Sequence, residues 1–284
     1  MTYRELYLAA RKFLSDAGID DAGTDSLLLS EFFLGQDRSG LALHGEKLPS
    51  SEQETAFWNA VKERAEHRPL QYILGQWEFM GLSLQVGEGV LVPREDTAAA
   101  VEALAERLAG MSEPVGLDLC AGTGAAALGL CTLLPDAAVT CLEVSRQAFS
   151  FLERNLAAYP QYRVQALFGD ILLAETAAKF AETSFDFIFS NPPYIPTSQL
   201  ASLQPEVQNE PPMALDGGED GLSFYRAICS LWLPLIKPGG ILAVEIGEEQ
   251  GETISALFAG HGLKKVEVKK DWANLDRCVI GTVL

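Results

Sequence analysis

The sequence is short of positive charge, of histidine and of paired cysteine. Across 284 residues it has 21 Lys+Arg against 39 Asp+Glu, a formal net charge of −18. Nucleic acid is held largely by Lys and Arg neutralising phosphates, so this balance argues against a duplex-binding protein. It leaves room for a basic partner. The five cysteines, at 120, 131, 141, 229 and 278, form no C-x-x-C pair and no metal-ligand spacing. They read as reduced buried thiols of a cytoplasmic protein, with no metal site. Long apolar runs are missing too. The opening MTYRELYLAARKFL carries charge throughout and lacks a signal-peptide core. The longest uncharged apolar stretch, between Asp118 and Asp136, is broken by three glycines and a proline and is too short to span a bilayer. A soluble cytoplasmic monomer without membrane contact is expected. Against these scarcities, 48% of the residues are hydrophobic, enough for a full core, which excludes disorder. The length suits one large or two smaller domains.

Residues 1–68 show helical spacing throughout: Leu6, Ala9, Ala10, Phe13 and Leu14, then Leu27, Leu28, Phe32 and Phe33, then Phe57, Val61 and Ala65. Glycines 18, 23, 35 and 40 and the Leu48-Pro49-Ser50 turn punctuate them, which predicts a small helical domain. Between 69 and 96 the texture changes. Trp77, Phe79, Leu82, Leu84 and Val86 alternate around turn glycines, the pattern of a connecting β-hairpin. A helical run follows Pro93, from Thr97 to Leu108. In the remainder, 97–284, strands are expected at 115–119, 138–142, 164–168, 185–190 and 239–246, with helices near 125–134, 145–157, 222–235 and 249–259. This alternation predicts an α/β fold with a mostly parallel sheet covered on both faces. Residues 264–270 and 277–283 have no helix between them, so an antiparallel hairpin closes the sheet.

Three strand ends offer chemistry. Asp118-Leu-Cys-Ala121-Gly122-Thr123-Gly124-Ala125 carries a strand into a glycine turn and a helix, where ligand atoms can approach bare backbone N–H groups. Glu143 follows about twenty residues later, placed to accept both hydroxyl protons of a ribose. The same run, Gly122 to Ala127, also fits a dinucleotide fingerprint, or a tight connection with no ligand. Asp170, after Phe168-Gly169, can accept from an adenine amino group or simply cap a turn. The fourth strand runs into Asn191-Pro192-Pro193-Tyr194. Two prolines stiffen this turn, so the Asn191 oxygen and the Pro192 carbonyl can converge beside an aromatic ring. Two converging acceptors suit a planar –NH2 group.

Asn-Pro-Pro-Tyr at this place resembles the turn of S-adenosylmethionine-dependent enzymes that methylate planar nitrogens. Nearly end to end, the chain resembles the protein-(glutamine-N5) methyltransferases that modify the Gly-Gly-Gln motif of peptide chain release factors. The stretches that carry the likeness are Pro69-Leu-Gln-Tyr72-Ile-Leu-Gly75, Phe79-Met-Gly81, Pro93-Arg-Glu-Asp-Thr97, Asn191-Pro-Pro-Tyr194 and Gln208-Asn-Glu210-Pro. Leu215-Asp-Gly-Gly218 with Asp220-Gly-Leu, Glu245-Ile-Gly247 and Asp276-Arg277 complete them. The chain departs from the family at Cys120, where glycine is usual, at Ala121, where Thr is usual, and at Ala98, where an acid is common.

The resemblance implies a class I, Rossmann-like methyltransferase domain that turns S-adenosyl-L-methionine into S-adenosyl-L-homocysteine. It implies cofactor contacts at Asp118, Ala121, Gly122, Thr123, Gly124, Ala125, Glu143, Asp170, Ile171 and Asn191. Catalysis falls to Asn191, Pro192 and Tyr194, and the substrate to these with Pro193, Phe79 and Arg94. The helices of 1–68 become a docking surface for a release factor. Three rivals differ in class. An adenine-N6 methyltransferase acting on nucleic acid uses the same turn, but from residue 69 onward there are 13 Lys+Arg against 27 Asp+Glu, poor ground for phosphates. An NAD-dependent dehydrogenase leaves Asn191–Tyr194 without a purpose, and an inactive release-factor scaffold leaves the intact turn unexplained. The stretch after that turn is free of bases and holds Glu206, Glu210, Asp216, Glu219 and Asp220, a face suited to a basic protein.

Overall fold

The computed structural model describes all 284 residues. They form two compact units, Met1–Gln76 with Gln204–Asn209, and Trp77–Leu203 with Glu210–Leu284. No helix is long and apolar enough to cross a membrane.

The first unit is built on α1 (Tyr3–Asp16), α2 (Ala22–Leu34), α3 (Arg38–His44), α4 (Ser51–Ala65) and α5 (Leu70–Leu74). Thr2 and Ser50 start α1 and α4 with reciprocal caps, each hydroxyl accepting from the third residue's N–H while that residue's side chain returns to the cap. Gly35 and Gly75, both left-handed, end α2 and α5. Leu6, Ala10 and Leu14 of α1 meet Leu29, Leu34, Phe57 and Val61 in one apolar cluster. One charged group sits inside. Arg64 Nε donates to Asp25 Oδ2 at 2.7 Å, and its Nη1 donates to Glu206 Oε1 at 2.9 Å. His67 Nδ1 lies 2.9 Å from the same Glu206 oxygen. This buried guanidinium is why a segment 142 residues further along the chain belongs with the helices. Burial pushes the Asp25 pKa up, against the opposing pull of Arg64.

The second unit opens with the hairpin β1 (Gln76–Phe79) and β2 (Leu82–Gln85), then α6 (Glu95–Leu108). The sheet follows as β3 (Val115–Leu119), α7 (Ala125–Leu133), β4 (Ala138–Glu143), α8 (Arg146–Ala158), β5 (Arg163–Phe168), α9 (Ala174–Ala178) and β6 (Phe185–Ser190). After the Pro205–Gln208 helix (α10) come α11 (Ser223–Ala227), β7 (Ile236–Glu245), α12 (Gly251–Gly260), β8 (Lys264–Lys270) and β9 (Asp276–Thr282). The seven strands lie in the order β5-β4-β3-β6-β7-β9-β8, with β3 to β7 parallel and β9 antiparallel to both neighbours. This is the class I methyltransferase arrangement of a Rossmann-like sheet ending in an antiparallel hairpin.

Alternation along the strands divides the core. Phe187 and Phe189 join Leu104, Leu108 and Val139 on one face, while Ile188 joins Leu117, Leu142, Trp232 and Phe258 on the other. Strand order reverses between β3 and β6, so their following turns splay apart and leave a cleft at the carboxyl edge. The helix expected at 222–235 is three pieces: α11, a wide turn at Ile228–Trp232 and a tight one at Leu233–Leu235. Pro234 supplies no N–H for a continuous helix, and β7 begins at Ile236, earlier than 239. Helix α9, five residues long, is too short to show a period.

Replacing Arg64 with Met leaves Asp25 buried without its cation. We expect a loss of about 3–5 kcal/mol in urea unfolding; an unchanged midpoint contradicts the account of the first unit.

Candidate functional site

The turn from β3 to α7 is short and needs unusual backbone. Cys120, Gly122 and Gly124 all have positive φ, at 65°, 54° and 81°. At Gly124 a Cβ would also stand 2.8 Å from Leu152 Cδ1, so glycine is required there twice over. Cys120 is the one non-glycine among these three left-handed positions. Its thiol is pushed well above the ordinary range by burial and by Glu143 and Asp118, which makes it a poor nucleophile.

Two side chains clamp this loop. Glu143, at the end of β4, accepts from Gly122 N at 2.9 Å through Oε2 and from Ser145 N at 2.7 Å through Oε1. Asn155 of α8 donates to Thr123 O at 3.0 Å and to Gln85 O at 3.1 Å, and accepts from Gln85 N at 2.7 Å. The loop, the hairpin and α8 are therefore one hydrogen-bonded block.

Above it lies a cavity of about 510 Å³, a size usual for small-molecule sites. Asp118, Ala121, Gly122, Thr123 and Ala125 form its floor, and Glu143, Asp170 and Ile171 line it from the next two strand ends. Asn191, Pro193, Arg94 and Thr97 form the opposite wall. Gly124, Pro192, Tyr194 and Phe79 do not line it. Phe79 is buried with Leu82, Leu84 and Leu128 beneath the hairpin. The Tyr194 ring packs against the apolar cluster of Ile188 and Val244, and its carbonyl accepts from Gln250 Nε2 at 3.0 Å. Burial pushes its phenol pKa up, so it stays neutral.

Asp118 is the outstanding group on the floor. It is 2% exposed, and its Oδ2 has no hydrogen-bond partner. Burial, opposed by the Ala127 N–H and reinforced by Glu143, pushes its pKa up to about 8. An orphaned buried acceptor on a cavity floor fits a ligand carrying a cationic or donor group. After β5, Asp170 Oδ1 accepts from Leu172 N at 2.9 Å, and the Ile171 carbonyl accepts from the Trp232 indole at 2.8 Å. Both are thereby held at the rim.

The turn after β6 is equally constrained. The Ser190 hydroxyl donates to Leu119 O at 2.6 Å, tying the two strand ends together. Asn191 Nδ2 donates to Thr97 Oγ1 at 3.2 Å. Gly217 lies against the turn so closely that a Cβ would be 2.8 Å from Tyr194 Cα. Arg94 pairs with Glu210, whose other oxygen accepts from Val92 N at 2.9 Å, and Arg277 Nη2 reaches Asp96 at 3.4 Å. Thr97, Asn155 and Glu245 shape the site without having been assigned roles from the sequence, and Glu210, expected on an exposed acidic face, is instead 3% exposed and paired with Arg94. For Asn155 a signal existed, an amide on the apolar face of a helix. The other three stand inside the stretches that carry the family likeness.

Two family descriptions match, "PrmC N-terminal domain" over residues 5–75 and "Methyltransferase small domain" over 93–207. The chain is 38% identical over 283 residues to a release factor glutamine methyltransferase of Geobacter sulfurreducens, spanning 99% of this chain and 97% of that one. It belongs to the release factor glutamine methyltransferase family. A relative of the same name from Moorella thermoacetica is 36% identical over 99% of this chain and 98% of its own. Among solved structures, the hMettl16 catalytic domain in complex with MAT2A 3'UTR hairpin 6 superposes with a TM-score of 0.58 at 13% identity, covering 85% of this chain and 86% of that one. At that identity the likeness is one of fold.

Cys120 shares the left-handed backbone of Gly122 and Gly124 but carries a side chain. Cys120→Gly should stabilise the chain by about 0.5–1 kcal/mol in urea unfolding, and Cys120→Ala should not; equal stability of the two variants contradicts strain at this position. Asp118 gives a pH signature. Between about 3.8 and about 8 the folded chain holds a proton that the unfolded chain has lost, so its contribution falls as pH rises through that window and levels off above it. Without cofactor, the thermal midpoint of Asp118→Asn should therefore decline less than wild type over that window. Parallel declines contradict a buried, protonated Asp118.

Proposed function

We propose that this chain transfers a methyl group from S-adenosyl-L-methionine to the side-chain nitrogen, N5, of the glutamine in the Gly-Gly-Gln motif of a peptide chain release factor. The observation that carries the reading is that Asn191 and the glycine loop line one cavity. A planar amide presented at Asn191 then meets whatever the loop holds. End-to-end likeness to curated relatives of that activity supports the choice of substrate.

Bound S-adenosylmethionine supplies an electrophilic methyl on a sulfonium. Asp118 Oδ2, free of partners, accepts from its amino group, with the backbone of Ala121–Ala125 beneath the methionine part. Each Glu143 oxygen already accepts one backbone N–H and has capacity left for a ribose hydroxyl. Asp170 and Ile171 flank the adenine.

A glutamine amide nitrogen is a poor nucleophile because its lone pair is delocalised into the carbonyl. Asn191 Oδ1 accepts one of its N–H groups, and the Pro192 carbonyl, between the lining residues Asn191 and Pro193, accepts the other as the substrate enters, which turns the lone pair toward the methyl. Positioning of this kind supplies several kcal/mol when reacting atoms stand about 3–3.5 Å apart. No strong base is required, since the nitrogen becomes acidic once methylated and releases its proton to water. His44, His67 and His261 lie outside the cavity lining.

The helical unit is the docking surface for the release factor. Modifying one glutamine on a large protein calls for contacts beyond its loop. The acids after the Asn191–Tyr194 turn do not form the free acidic face expected of them, since Glu206 is held by Arg64, Glu210 by Arg94 and Asp220 by Arg226. The residues named for the reaction all lie on one chain, consistent with an enzyme that acts as a monomer in the cytoplasm.

Asn191→Ala should lower release-factor methylation, followed by mass spectrometry, by roughly 10²–10³, the scale for deleting one preorganised polar contact. Its cofactor affinity by calorimetry should stay within a few-fold of wild type. Glu143→Ala should do the reverse, weakening cofactor binding first. Full activity of Asn191→Ala contradicts the reading.

A further inference from the structure

An asparagine amide has almost the same shape when turned over, so only its neighbours decide which end faces the cavity. If Asn191 is turned the wrong way, its NH2 meets the substrate's NH2, donor against donor, and the lone pair is not directed. The direction of this one side chain is therefore part of the chemistry.

Two buried groups set it. Asn191 Nδ2 donates to Thr97 Oγ1 at 3.2 Å, and Thr97, on the first turn of α6, is 5% exposed. Val244 pairs with Ser190 across β7 and β6, so Glu245 stands level with Asn191. Its side chain is 1% exposed, lies beside Thr97 and Asn191, and leaves Oε2 without a hydrogen-bond partner. The charges facing it are Arg277 and Asp96. Burial pushes the Glu245 pKa up to about 7. In its ionised form it offers acceptors only and takes the Thr97 hydrogen, leaving the hydroxyl's lone pairs to Asn191. Turned over, Asn191 Oδ1 would face the ionised Glu245, acceptor against acceptor.

We propose that Thr97 and Glu245 are positioning residues that take up the NH2 of Asn191 and so leave its oxygen to the amide nitrogen of the substrate. This rests on the methyl-transfer reading above and adds the device that gives the catalytic amide its direction. Neither residue has to touch the reacting atoms. Both stand in stretches of sequence otherwise far apart, Pro93–Thr97 and Glu245–Gly247.

The test uses the full chain with S-adenosylmethionine and intact release factor, comparing wild type with Thr97→Val, Thr97→Ser and Glu245→Gln. Valine keeps the shape of threonine and removes the hydroxyl. Thr97→Val should lower kcat about 10–100-fold, the scale of a hydrogen bond within a charged network, with KM for release factor and cofactor affinity nearly unchanged. Thr97→Ser restores the hydroxyl and should recover most of the loss. Glu245→Gln, whose amide can face Asn191 with either end, should lower kcat at constant KM. A merely structural role would spread the damage into KM and cofactor binding, and serine would not rescue it. Wild-type turnover with an unimpaired Thr97→Val, or a serine variant as slow as the valine one, overturns the proposal alone. A wild-type chain that leaves release factor unmodified overturns both this and the function it rests on.

Discussion

A catalytic amide must show its oxygen, and not its nitrogen, to the substrate, and much of the second unit serves that requirement. The parallel pairing of β6 with β7 brings Glu245 level with Asn191. The start of α6 brings Thr97, and Arg277 on β9 holds the Asp96 end of the same helix turn. Gly217 gives the turn a wall that no larger residue could form. None of these groups is exotic. Their effect comes from burial, which makes a mismatched acceptor pair costly and so gives an otherwise ambiguous side chain a single direction.

The opposite wall of the cavity works by different physics. Its glycine loop concentrates left-handed backbone into five residues, and one of them, Cys120, carries a side chain that such backbone disfavours. Glu143 and Asn155 hold the loop from two sides, so the strain does not relax by local movement. Asp118 adds a buried carboxyl without a full set of partners. Strain and an unsatisfied acceptor on one floor are what a site looks like when a ligand completes it.

Much of this was legible in the sequence because the strong signals are local. The strands at 115–119 and 185–190 end where periodicity placed them, since apolar runs bounded by glycine or proline leave little freedom. The glycine loop, Glu143, Asp170 and Asn191 fall around one cavity because strand ends of a parallel sheet share one edge. What was hidden is long-range. Nothing local to Thr97 or Glu245 shows that they meet Asn191, since sheet order brings them together. The capture of Glu206 by Arg64 was likewise invisible, being a contact across 142 residues. Phe79 and Tyr194 were substrate contacts by family resemblance and by the aromatic face of the Asn191–Tyr194 turn, whereas here both rings pack against apolar clusters. The broken helix before β7 reflects Pro234, a signal that was present and outweighed by the apolar period around it.

The central claim is that the cavity brings a planar side-chain amide and a methyl donor together. The most direct test is to incubate the full chain with S-adenosylmethionine and intact release factor, then sequence the Gly-Gly-Gln peptide by tandem mass spectrometry. The account predicts one added methyl group, located on the glutamine side chain and absent when the cofactor is omitted. An unmodified glutamine, with methyl transferred instead to adenine in added DNA or RNA, would contradict it.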